Sequence, residues 1–147
     1  MLTNILDYLK HSTEKYGDKT AFSDSTNSVT YRGLDALSDS IASFLMTKIP
    51  GKNEPAAVLI DRNIQSVVSF MGIVKSGNFY VPVDSQLPPK RIALIFETLK
   101  PKAVIFSEKN RRLLESLDYA GTAVLYEDAA GFPPAREAIA ARRRGAI

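Results

Sequence analysis

The sequence has no cysteine, no tryptophan and a single histidine. Without cysteine there is no disulfide, no thiolate metal site and no cysteine nucleophile. A reducing, cytoplasmic compartment is compatible with that and is the location expected. One histidine also leaves zinc short of its usual ligands. His11 lies beside Ser12 and Thr13 in a polar part of the first predicted helix. Nothing nearby would orient it as a general base, so it reads as an exposed helix residue. No apolar run approaches the ~18 residues of a membrane span. The opening MLTNILDYLK lacks the basic and apolar regions of a signal peptide. No membrane partner is expected.

Phosphate-binding signatures are missing too. No G-x-G-x-x-G follows a predicted strand, and G-x-x-x-x-G-K-[ST] does not occur. Ser76 precedes Gly77, but VKSGN ends a helix and is not the strand-to-helix turn of a serine nucleophile. Net positive charge is confined to the tail. Residues 133–147 carry Arg136, Arg142, Arg143 and Arg144 against Glu137, which accounts for the whole net charge of +3. Residues 1–132 are neutral, so there is no basic face for nucleic acid. The tail reads as a separate basic segment, a solvated or frayed helix end.

What is present is a regular alternation, with 45% apolar residues to build a core. TNILDYLKHSTEKYGDK predicts a helix capped by Thr3 or Asn4, with Ile5, Leu6, Leu9 and Tyr16 inward and Gly17 as its stop. Thr20–Ser23 and Ser28–Tyr31 flank the turn-rich DSTNS and predict a β-hairpin. Thr30 then caps a helix from about Tyr31 to Lys48, with Leu34, Leu37, Ile41, Phe44 and Leu45 inward. After PGKNEP, strands are predicted at 56–60, 79–83, 103–106 and 122–126, each followed by a helical segment, the last one weak. Short apolar strands alternating with amphipathic helices give a doubly wound α/β domain, its mostly parallel sheet buried on both faces. Pro82 cannot donate to a ladder, so its strand either ends near Val81 or leaves that nitrogen unpaired. Lys75 would complement the dipole at its helix end, and Gly77 would supply the left-handed residue after it.

Asp61 and Asp84 each follow a strand, where open α/β sheets bind ligands. Two carboxylates there could hold Mg²⁺. The simpler reading is that each caps the next helix or closes a turn. A free-standing binding module with a ligand or Mg²⁺ at these two residues is the alternative carried forward.

The order of elements from 74 to 91 carries more information than any of its pieces. Val74-Lys75-Ser76-Gly77-Asn78-Phe79-Tyr80-Val81-Pro82-Val83-Asp84, then Pro88-Pro89-Lys90-Arg91, resembles the second core motif of adenylate-forming enzymes, roughly L-K-A-G-x-x-Y-x-P-x-D followed by P-x-x-R. Thr30-Tyr31-Arg32-Gly33-Leu34 resembles their first core motif, near T-Y-x-E-L. Gly33 stands where a glutamate often completes a capping box, so the reciprocal bond is lost. LKPKAVIFS resembles the next strand and its lead-in. The resemblance spans roughly residues 3–127.

The resemblance implies the N-terminal subdomain of a ligase, residues 1–132, related to non-ribosomal peptide synthetase adenylation domains or D-alanine-activating ligases. Such an enzyme uses ATP and Mg²⁺ to turn a carboxylate into an acyl-adenylate. The family's phosphate loop, its adenine and ribose motifs and its C-terminal lysine do not occur here. The resemblance therefore implies scaffold roles for Thr30, Tyr31, Leu34, Gly77, Tyr80, Pro82, Asp84, Pro88 and Arg91. No catalytic, cofactor-binding or metal residue is assigned in this chain. Its expected partners are the remainder of the ligase and, through an unpaired sheet edge or helix face, a second copy.

Overall fold

The computed structural model describes residue 2 and residues 4–144, with residues 143 and 144 in their backbone alone. Thr3 as a helix cap and the side chains of Arg143 and Arg144 lie outside the described residues. The first helix, α1 (Ile5–Tyr16), is capped by Asn4, whose side chain accepts from the Leu6 and Asp7 amides. Leu6 and Leu9 face inward, but Ile5 and Tyr16 are exposed. A single short helix on a domain surface has only one narrow stripe to bury, and these two fall outside it.

Strands β1 (Thr20–Ser23) and β2 (Ser28–Thr30) form the expected hairpin. Tyr31 is already helical, because Thr30 stops the strand by capping α2 (Tyr31–Lys48) through its side-chain bond to the Gly33 amide. The cap thus survives loss of the capping-box glutamate. Then β3 (Pro55–Ile60), α3 (Ile64–Lys75), β4 (Phe79–Asp84), α4 (Pro89–Leu99), β5 (Ala103–Phe106), α5 (Arg111–Ser116) and β6 (Thr122–Leu125) alternate. A short α6 (Tyr126–Ala130) and α7 (Arg136–Arg144) close the chain.

The four strands pair in parallel in the order β4-β3-β5-β6. The chain therefore winds outward from β3 to β4, then crosses back to β5 on the other side, which is doubly wound topology. Alternation along β3 and β5 feeds two cores. Ala56, Val58, Ala103 and Ile105 meet residues of α2 and α3, including Ile41, Leu45, Val68 and Ile73. Ala57, Leu59, Val104 and Phe106 meet Ile92 and Phe96 of α4 and Leu114 of α5. Helix α2 lies so close to α3 that a Cβ on Gly72 would come within 2.5 Å of Ile41 Cγ2.

The sheet departs from expectation at β4. This strand continues to Asp84, and Phe79, Tyr80, Pro82 and Asp84 are exposed. It pairs with β3 alone, so it is an edge. Pro82 fits there because an edge strand has a side on which no donor is needed.

The C-terminal segment also departs from a solvated tail. Ile139 is buried. Phe132 packs edge-on against Phe44, with ring centroids 5.4 Å apart. The Arg142 guanidinium donates to the carbonyls of Ile49, Pro50, Gly51 and Ser76 at 3.2–3.3 Å. Those oxygens lie at and just beyond the C-terminal ends of α2 and α3, where unpaired carbonyls concentrate negative potential. A basic segment adjacent to such ends gains partners that sequence order alone does not reveal.

Asp24, in the hairpin turn, fastens this layer to α3. Its carboxylate accepts from the Thr26 amide (2.8 Å), the Asn27 amide (2.7 Å) and, across the chain, the Ile64 amide (3.0 Å). The backbone bonds, from Thr26 first and then Ile64 and Asn27, pull its pKa from 3.8 to about 2. A lowered folded-state pKa means the stabilisation is full above 3.8 and is lost as pH falls toward 2. We expect Asp24→Asn to flatten the acid limb of stability between those values. Urea unfolding at stepped pH checks this, and an unchanged slope would remove Asp24 from the account.

Candidate functional site

Two polar clusters sit at opposite ends of the parallel sheet, one joining residues of the 30–45 and 74–91 segments and the other joining Asp61 to Ser85, Lys109 and Asn110. At the amino ends of the strands, Lys75 does more than face a helix dipole. Its ammonium donates to Asp35 Oδ1 (2.7 Å), the Asp35 carbonyl (3.0 Å) and Asp39 Oδ1 (2.8 Å) on α2. The Lys75 side chain is 8% exposed and that of Asp39 11%. Arg136 of α7 reaches the other oxygen of Asp39 at 3.0 Å. Lys75 does sit in the last turn of α3 as expected, and in addition it spans two helices, its charge matched on the neighbouring element. The sequence holds a signal for this. Asp35 and Asp39 are like charges one helical turn apart, which disfavours a helix unless a cation sits between them.

At the carboxyl ends, Asp61 leaves β3 into the crevice where a doubly wound sheet receives ligands. Its side chain is 6% exposed. Oδ1 accepts from Ser85 Oγ at 2.6 Å, and Oδ2 accepts from Asn110 Nδ2 at 2.9 Å. Lys109 Nζ lies 3.5 Å from Oδ1. Asp61 thus ties the end of β3 to the loop after β4 and to the turn after β5. It does not cap α3, since Asn63 does that through the Ser66 amide. Asp84 closes a turn by accepting from the Gln86 amide at 2.9 Å. Both carboxylates border one open depression of about 490 Å³ with Arg62 and Lys109. The crevice between β3 and β5 is nearly full: Asp61, Asn63, Ser66, Ser107 and Tyr126 surround a void of about 10 Å³. That is room for about one water. Ser107 Oγ is buried there with no protein partner. Burial pushes the Tyr126 phenol up to about 12, with the nearby Glu127 charge adding to it.

The motif residues are structural in their contacts. Thr30 caps α2, the Tyr31 amide donates to Lys19 O at 3.1 Å, and Leu34 is buried in the core. Gly77 has φ +88°, the left-handed conformation expected after a helix. The Tyr80 ring stacks on Phe70 with centroids 4.4 Å apart. The Pro88 carbonyl accepts the first amide bonds of α4, from Arg91 and Ile92. Arg91 is exposed on α4 and lines a groove on the opposite side of the sheet from α3. Asp84 and Arg91 line two different depressions, so the motif does not gather into one pocket. His11 is exposed. Among the described residues no three His, Cys, Asp or Glu side chains are grouped to hold a metal. No helix among them is long and apolar enough to cross a membrane.

The sheet is a doubly wound parallel α/β sheet whose edge strand carries Tyr80-Val81-Pro82-Val83-Asp84 between a glycine stop and a proline start. Residues 9–144 match the model of the AMP-binding enzyme family, and the chain belongs to that family. It is 32% identical over 108 residues to a nonribosomal peptide synthetase, TES, of Alternaria alternata, covering 74% of this chain and 2% of that protein. It is 40% identical over 77 residues to a D-alanine--D-alanyl carrier protein ligase of Lactiplantibacillus plantarum, covering 52% of this chain and 15% of the ligase. The fold superposes on a benzoate CoA ligase of Burkholderia xenovorans with a TM-score of 0.80 and 24% identity, over 91% of this chain and 29% of that one. The chain thus spans a small fraction of the length of these relatives.

The Lys75 cluster yields a direct test. Lys75→Met keeps the packing but leaves Asp39 and Asp35 without their shared cation. Breaking a buried pair from one side costs roughly 3–5 kcal/mol. Arg136 still faces Asp39, so we expect about 3 kcal/mol of lost stability by urea unfolding. A loss under about 0.5 kcal/mol, the scale of an ordinary surface change, would contradict the role given to Lys75.

Proposed function

We propose that this chain is the N-terminal scaffold of an adenylate-forming ligase, the enzyme class that activates a carboxylic or amino acid with ATP to an acyl-adenylate. The observation that carries the proposal is the filled crevice at the carboxyl ends of β3 and β5. In a fold of this winding a ligand would bind there, yet the void left is about 10 Å³ and Asp61 beside it is engaged by Ser85, Asn110 and Lys109. Stabilising a pentavalent phosphorus and a departing pyrophosphate needs preorganised N–H donors and cations aimed at one point. The residues present do not fit ATP or Mg²⁺: Asp61 is already balanced, Asp84 is engaged in its turn, and no phosphate loop exists in the sequence.

The relatives support an acyl-activating parent. Their names cover peptide synthetases, a D-alanine ligase and a benzoate CoA ligase, all of which handle a carboxylic or amino acid. ATP and Mg²⁺ would then serve the parent through other segments. The share of each relative that this chain spans fits a structural wall rather than a whole active site. The alternative, a free-standing module binding Mg²⁺ at Asp61 and Asp84, is disfavoured because Asp61 already has an ammonium at 3.5 Å and two hydrogen-bond donors.

The test has two arms. The purified 147-residue chain should show no carboxylate-dependent ATP–pyrophosphate exchange above background. Substituted for the matching segment of an active relative's adenylation domain, it should preserve exchange within about tenfold, since scaffold changes act on the barrier by about 1.4 kcal/mol or less. Exchange by the isolated chain would overturn the scaffold assignment. A correctly folded but inactive chimera would overturn the membership of this piece in the adenylating unit.

A further inference from the structure

We propose that the outer face of α4 is a self-association surface that pairs two copies of this chain antiparallel about Leu94. Leu94 is 63% exposed, the most exposed of the large apolar side chains. It lies near the middle of the eleven-residue α4. Beside it runs an open groove of about 620 Å³ lined by Val81, Arg91, Ile95, Thr98 and Leu99. By strand alternation Phe79, 47% exposed, continues this apolar surface along β4 on the same side as Val81. An exposed apolar surface rimmed by polar groups is the ordinary mark of an interaction site.

The charges on α4 select the occupant. At roughly 100° per residue, Lys90 and Glu97 flank Leu94 on one side of the exposed stripe, and Arg91 and Thr98 flank it on the other. All four are exposed. Among the described residues neither Lys90, Arg91 nor Glu97 takes part in an ion pair. A two-fold axis beside Leu94 reverses the second helix. Lys90, four residues before the centre, then comes level with Glu97 of the second copy, three residues after it. The same pair forms again at the other end, as an isologous contact requires. Arg91 meets Thr98 of the second copy, which creates no like-charge clash. A parallel arrangement would instead set Lys90 against Arg91 of the second copy, like charge on like. Strand addition at β4 is the competing geometry, and Pro82 in that edge opposes it. The inference stands on α4 and β4 alone and does not depend on the ligase reading.

Sedimentation equilibrium of the 147-residue chain from low to high micromolar concentration tests it. The expected result is a monomer–dimer equilibrium between 16.2 kDa and twice that mass. Leu94→Glu should give a monomer with unchanged circular dichroism. Lys90→Glu should raise the dimer dissociation constant about tenfold or more, by setting like charges together at both ends. Adding Glu97→Lys to it should restore the wild-type constant, a rescue that a folding defect cannot mimic. A wild-type chain that stays monomeric at every concentration, as expected of a face reserved for another part of a longer chain, overturns the proposal. So does a dimer indifferent to Leu94→Glu, or a charge reversal that the double swap does not rescue.

Discussion

An ammonium group held almost out of water is tolerable only beside negative charge, and the arrangement of α2 against α3 is the answer to that constraint. Taking Lys75 out of solvent costs several kcal/mol unless its protons find acceptors. Asp35 and Asp39 supply three oxygens, and they do so only when the middle of α2 lies over the end of α3. Gly72 permits that approach by leaving no side chain between the helices. Once α3 is fixed, its end sets the left-handed turn at Gly77 and the start of β4. Arg136 and Arg142 then draw α7 over the same two helices. The motif block at 74–91 is thus a chain of dependencies in which each residue determines where the next element begins.

The carboxyl ends of the strands obey a related rule with a different outcome. A buried carboxylate must be satisfied, and Asp61 finds two hydrogen bonds and an ammonium on neighbouring loops. That arrangement ties the loops after β4 and β5 to the end of β3. A domain that puts its polar groups to work on itself in the crevice is built to hold shape. Such a frame suits the proposed scaffold role, since binding and catalytic groups must be positioned within fractions of an ångström by their surroundings.

Much of this was legible in the residues. The cap at Thr30, the hairpin and the four strands follow from local chemistry and periodicity, while Pro82 left open whether its strand was short or had an unpaired side. The family came from the resemblance of the block holding Gly77, Tyr80, Pro82, Asp84, Pro88 and Arg91 to a core motif of adenylate-forming enzymes. What was not legible depends on contacts between distant segments. Lys75 read as a dipole partner because its acceptors lie 36 and 40 residues away. Asp61 read as a helix cap because Asn110, its partner, is 49 residues on. Asp24 read as part of a turn, and it is one, but its second oxygen reaches the Ile64 amide. The tail read as solvated because charge composition says nothing about four carbonyls waiting at helix ends. The exposure of β4 was missed because an apolar strand at an edge has the same composition as one in the middle.

The scaffold reading turns on Asp61, at the carboxyl end of β3, being engaged by the protein's own polar side chains. Titration of the isotope-labelled chain with MgATP, followed by amide chemical shifts, tests it most directly. The account predicts no saturable shifts at residues 61–66, 85 and 107–110. Saturable shifts confined to those residues would show that the Asp61 cluster opens for a nucleotide, and would contradict the assignment of this domain as scaffold.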